Sequence, residues 1–195
     1  MKRTFALTAV ATLAMVFLTN ATSAQGPGTN ATKKKPVFIQ AQAMGTSQQL
    51  GRSVTVNIII EEYSTAEDQK ALLEAFNAKK NEGLVNALSK MKSKGRLAVT
   101  GTLGYDVSYI RSFPQPDGST KLRIVTNRAI RFGEAWADTR SMEYSLSAVE
   151  VILSPDKKKN SGTLLPACQF KLDKENQIEI ELFQNPWKLV NVQLR

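Results

Sequence analysis

Apolar and polar residues alternate with a period of two through most of this chain, and that spacing predicts a succession of short strands, each with one face turned to a core. Val37, Ile39, Ala41 and Ala43 fall on one side of the first, with Phe38, Gln40, Gln42 and Met44 on the other. Val54, Val56, Ile58 and Ile60 repeat the pattern after a connection bracketed by Gly45 and Gly51. A short strand is predicted at 97–100. From 105 to 111, Tyr105, Val107, Tyr109 and Arg111 alternate with Asp106, Ser108 and Ile110. Pro114, Pro116, Asp117 and Gly118 then supply the turn of a hairpin returning over 121–127. Further strands are predicted at 129–132, at 142–153 with Tyr144, Leu146, Ala148 and Ile152 on one face, and at 163–172, 178–182 and 187–194.

The period changes in one region. Ser64 followed by Glu67 fits a capping box, and Leu72, Leu73 and Phe76 recur at helical spacing, which predicts a helix over 65–78. Leu84, Val85, Leu88 and Met91 predict a second over 82–92. Together they form a helical hairpin at about 64–94, inserted between strands with its apolar side on the sheet. Eight or nine strands without helices between them after Gly95 exclude parallel βαβ winding. The expected fold is α+β, mainly antiparallel β, closed as a sandwich or as a partly closed barrel.

The first 24 residues add an address. Lys2 and Arg3 precede an apolar and small-residue run over 5–18, then Thr22-Ser23-Ala24, which reads as a signal peptide over 1–24. The run is short for a bilayer span and no second long one follows, so no transmembrane helix is expected in the mature form. A flexible basic tether at 25–35 and one β-rich domain at 36–195 complete the expected organisation, in a periplasmic or secreted protein. Loss of Lys2 and Arg3 lowers the formal charge from +9 to +7, a modest bias toward anionic neighbours such as lipid head groups or acidic polysaccharide.

Composition narrows the chemistry. There is no histidine, which removes Ser-His-Asp and Cys-His catalysis, and the lone Cys168 excludes an internal disulfide. Cys168 is expected to be a buried small hydrophobe sharing a face with Leu164, Pro166 and Phe170. Gly101 and Gly104 read as a turn, since their spacing matches neither the P-loop nor the dinucleotide fingerprint. The lysines at 33–35, at 157–159 and at Lys90, Lys92 and Lys94 have no interleaved aromatics, which argues for solvated charge and against specific nucleic-acid binding. Glu179 and Glu181 share a strand face and, like Glu61-Glu62, read as solubilising charge.

The segment 126–141 is the candidate ligand-binding region. It concentrates Arg128, Glu134, Trp136 and Arg140 where regular periodicity is weak. Arg128 and Arg140 would hold a carboxylate or phosphate while Trp136 stacks on a ring or sugar face. No motif implies a catalytic residue, a metal or a cofactor. The stretches Gly101-Thr102-Leu103-Gly104-Tyr105-Asp106, Thr126-Asn127-Arg128-Ala129-Ile130, Arg140-Ser141-Met142-Glu143-Tyr144 and Leu189-Val190-Asn191-Val192 resemble a group of exported bacterial proteins without assigned activity, a resemblance that implies only bacterial secretion. The leading expectation is a soluble binding or interaction module for a small molecule or cell-envelope component, with its ligand at an open end of the sheet near Arg128 and Trp136, or between the sheet and the helices. A hydrolase acting on cell-envelope material, with Asp106, Glu134 and Asp138 as its acids, and a small outer-membrane barrel are the alternatives.

Overall fold

A computed structural model describes residues 35–128, 130, 144–184 and 186–195. Nine strands and one helical element follow in the order β1 (Val37–Gly45), β2 (Ser53–Ile60), α1 (Ala66–Lys90), β3 (Gly95–Val99), β4 (Tyr105–Pro114), β5 (Thr120–Thr126), β6 (Leu146–Leu153), β7 (Ser161–Leu172), β8 (Ile178–Gln184) and β9 (Trp187–Leu194). Every strand is antiparallel to its neighbours, and the last pairs with the first, with Trp187 opposite Gly45 and Leu189 opposite Ala43. β8 and β9 keep one register along β7, placing Gln184 opposite Ala167 and Trp187 opposite Leu164. The result is a closed barrel of eight strands, with β8 as an extension of the closing one. The sandwich alternative is therefore replaced by closure.

Barrel geometry sorts the side chains. Ile39, Ala41 and Ala43 of β1, Val56, Ile58 and Ile60 of β2, Leu122 and Ile124 of β5, Val149 and Val151 of β6, and Leu189 of β9 meet in the interior, each no more than 3 % exposed. An eight-stranded barrel is just wide enough for side chains to fill. On β1 and β2 the outward positions carry Gln40, Gln42, Thr55 and Asn57 beside Phe38, Met44 and Ile59, and Gln40 donates to Asn57 across the strands at 3.1 Å. Among the described residues no helix is long and apolar enough to cross a membrane.

A second apolar layer forms outside the wall. Leu72, Phe76, Leu84 and Leu88 of α1 pack on Tyr109, Val125, Leu146 and Ala148, as the helical periodicity predicts. β7 contributes Leu165, Cys168 and Phe170 to the same layer, because its alternation breaks at a bulge where pairing shifts between Leu146/Cys168 and Ala148/Leu165. Pro166 lies at this bulge and has no N–H to give the ladder; its carbonyl instead accepts from the Ser147 hydroxyl. Cys168 consequently shares the outer layer with Phe170, whereas Leu164 points into the barrel. At 1 % exposure Cys168 is buried, and burial holds its thiol pKa well above the usual value.

α1 differs from the expected hairpin in two respects. Its capping box is Thr65 with Asp68, one residue later than predicted: Asp68 Oδ2 accepts from Thr65 N–H at 2.8 Å and Thr65 Oγ1 from Asp68 N–H at 3.2 Å. Ser64 is used elsewhere. Its N–H donates to the Ile110 carbonyl at 2.9 Å and its hydroxyl accepts from Ile110 N–H at 3.0 Å, satisfying a stretch of β4 that the short β3 does not reach. The two predicted helices form one element broken at Lys79 and Lys80, where Lys80 adopts φ +49°. The bend brings Gly83 against the first half so closely that a Cβ there would stand 2.0 Å from the Ala75 carbonyl oxygen.

Lys94 fixes the return from α1 to the barrel. Expected as solvated charge, it is 7 % exposed, with Nζ 2.8 Å from Glu62 and 3.0 Å from Asp68. Its N–H donates to the Val107 carbonyl, and its own carbonyl accepts from Glu61 and Glu62. The Lys94 hydrogen bond holds the Glu62 carboxyl below its usual value. Burial raises Asp68, but hydrogen bonds from Thr65 and Lys94 outweigh it and leave that carboxyl lowered. Burial likewise pulls Lys94 down, and its two carboxylate partners more than reverse the effect.

Candidate functional site

The barrel end bounded by Gly45, Ser53, Val99, Tyr105, Thr126 and Trp187 carries the candidate site. Three connections lie there: residues 46–52, 100–104 and 127–145. In the first, Gly45 continues the inward-facing series of Ile39, Ala41 and Ala43, so the side chain it lacks would point into the barrel. That space is taken by Gln49, whose carbonyl oxygen would lie 2.1 Å from such a Cβ. Gln49 therefore folds over the barrel end. It is 2 % exposed, and among the described residues neither Oε1 nor Nε2 has a hydrogen-bond partner. Thr46 Oγ1, 2.5 Å from the Pro186 carbonyl, ties this connection to the start of β9.

The third connection leaves β5 under restraint. Thr126 Oγ1 lies 2.5 Å from the Arg128 carbonyl and 3.2 Å from that of Ser147. Ile130 N–H donates to Ser147 Oγ at 2.5 Å, and its side chain, 3 % exposed, joins the barrel interior. Between these anchors Arg128 is exposed, with its guanidinium carbon 5.3 Å from the Tyr105 ring centroid. That stacking fixes a cation, and among the described residues no carboxylate forms an ion pair with Arg128. The neighbouring Asn127 has a buried Oδ1 without a partner among the described residues. The arrangement offers a fixed positive charge and two amides whose hydrogen-bonding capacity is unused, which suits an anionic or polyhydroxyl ligand.

Of the residues predicted for binding, Arg128 lies at this end, while Glu134, Trp136 and Arg140 lie outside the described residues, as does Asp138. Asp106, the remaining acid of the hydrolase alternative, is exposed on β4 in register with Arg96. Glu179 lies 3.9 Å from Lys171 on the neighbouring strand. Gly101 and Gly104, at φ +83° and +87°, shape the turn between β3 and β4 as predicted. Among the described residues no three His, Cys, Asp or Glu side chains gather where they could hold a metal ion.

The second predicted location, between sheet and helices, is a seam lined by Leu72, Leu84, Leu88, Tyr109, Val125, Phe170 and Ile178. It holds about 170 Å³ of unfilled space, none of it wide enough for water. Ligand pockets begin near about 300 Å³, so this seam is packing between layers. Searches against protein-family models, curated proteins and solved structures gave no match.

Proposed function

We propose that this chain is an exported, non-catalytic binding module that takes a small anionic molecule, such as a sugar acid or sugar phosphate of a cell envelope, at the barrel end built around Gln49, Asn127 and Arg128. The leader-like residues 1–24 support the address. The observation that carries the reading is Gln49: its amide is buried with both polar atoms unpartnered. A buried polar group left without a partner costs about 1–3 kcal/mol. Retaining such a group makes sense where a ligand completes its hydrogen bonds, and Arg128, at the same barrel end, supplies a charge for an anion.

Native mass spectrometry of the protein purified without denaturation, then titrated with sugar acids and sugar phosphates, tests the proposal. A one-to-one adduct that weakens at least about tenfold in Gln49→Leu and in Arg128→Gln is the expected result, the loss of one charge-assisted hydrogen bond being worth that much. An adduct of equal strength in all three proteins, or none with any of these compounds, would refute it.

A further inference from the structure

Two leucines project from the same barrel end almost entirely into solvent. Leu50, at the tip of the β1–β2 connection, is 82 % exposed, and Leu103, at the tip of the β3–β4 turn, is 91 % exposed. The two turns flank the start of β2 and are joined to it: Gly45 N–H donates to the Arg52 carbonyl, and Thr100 N–H to that of Thr55. Both tips are held in shape. Thr102 Oγ1 bridges the Val99 carbonyl and Gly104 N–H, and the Arg96 guanidinium donates to the Leu103 carbonyl. The leucines are thus presented by ordered turns, where a polar residue would serve as well for folding. Among the described residues the exposed charge around them is mainly basic: Arg52, Arg128 and Lys188, with the Arg96 guanidinium at the Leu103 carbonyl, against Asp106.

From this juxtaposition we propose that the Leu50 and Leu103 tips dock this barrel end onto an anionic lipid bilayer, the leucines entering the interface while the basic rim faces the head groups. Apolar side chains on projecting turns gain free energy on leaving water, and basic residues beside them add attraction to anionic lipid. The inference does not rest on the ligand reading above: both use Arg128, but the turn tips belong to the docking alone.

Sedimentation with sucrose-loaded vesicles, of phosphatidylcholine alone and with about one third phosphatidylglycerol, tests this on the full chain and on a Leu50→Ser/Leu103→Ser variant prepared with the same N-terminus. Any contribution of residues 1–34 is then common to both proteins, and their difference reads the tips. The expected result is binding to the anionic vesicles, weaker on neutral ones and in high salt, with the double variant at least about tenfold weaker and its melting temperature unchanged. Equal binding by the two proteins, or no binding to anionic vesicles, would overturn the proposal. Self-association removed by the same substitutions would overturn it too, by making a second copy the occupant.

Discussion

Gly83→Ala lowers the melting temperature by about 4–8 °C, although alanine is the better helix former. In an open helix the exchange would stabilise by about 1 kcal/mol. Here the added carbon would stand 2.0 Å from the Ala75 carbonyl oxygen and 2.7 Å from its carbonyl carbon. Both are backbone atoms, held by the bend at Lys79 and Lys80, so relief requires opening that bend and lifting Leu84 and Leu88 from the outer face of the barrel. Overpacking of this severity costs about 3 kcal/mol, which exceeds the propensity gain and corresponds to about 2–4 °C per kcal/mol in a domain of this size. Thermal denaturation followed by far-ultraviolet circular dichroism reads the shift. An unchanged or higher midpoint would mean that α1 does not fold back at Gly83.

Lys94→Met carries the second large effect, a loss of about 2 kcal/mol near neutral pH, because removing the buried cation leaves the half-buried Asp68 carboxylate without its partner. Asp68, the less exposed carboxylate, bears most of that loss; Glu62 is too exposed to add much. Both carboxyls are lowered in the folded protein from ordinary values of 4.5 for Glu62 and 3.8 for Asp68. Their contribution is therefore complete above those values and fades as pH falls through the lower, folded ones. Lys94 is raised from 10.5, so its contribution is complete below that value and fades only as pH climbs past it. Urea unfolding across pH should show the gap between wild type and variant widest from about pH 5 to 10 and narrowing at both extremes. A gap independent of pH would mean that Lys94 stabilises through the packing of its methylenes alone.

The strands were legible because alternation reports burial on one face, a local property that β1 and β2 express without interruption. Closure was not, since the pairing of Gly45 with Trp187 joins the two ends of the domain and leaves no periodic trace. Bulges were equally silent: the shift at Pro166 moved Cys168 away from the face of Leu164. The capping box slipped by one residue because Ser64 and Thr65 are both good caps, and only the unsatisfied edge of β4 at Ile110 decides between them. Lys94 looks solvated in sequence because its partners, Glu62 and Asp68, are far along the chain.

At the candidate site Arg128 was legible as a cation in a segment of weak periodicity. Gln49 was not, because a glutamine in the run Ser47-Gln48-Gln49 has the composition of an exposed turn. Its burial follows from the glycine four residues earlier, whose missing side chain leaves room for the chain to close over the barrel. Tyr105 reads as a core strand residue, and only the structure places the Arg128 guanidinium over its ring.

The melting temperature of Gln49→Leu, compared with wild type in the absence of any added compound, tests most directly whether this barrel end holds hydrogen-bonding capacity in reserve for a ligand. Leucine keeps the volume and removes the two unpartnered polar atoms, so the account predicts stabilisation by about 1–2 kcal/mol, a rise of a few degrees. A fall in the midpoint would contradict it, since the amide would then already be satisfied and contributing to the fold.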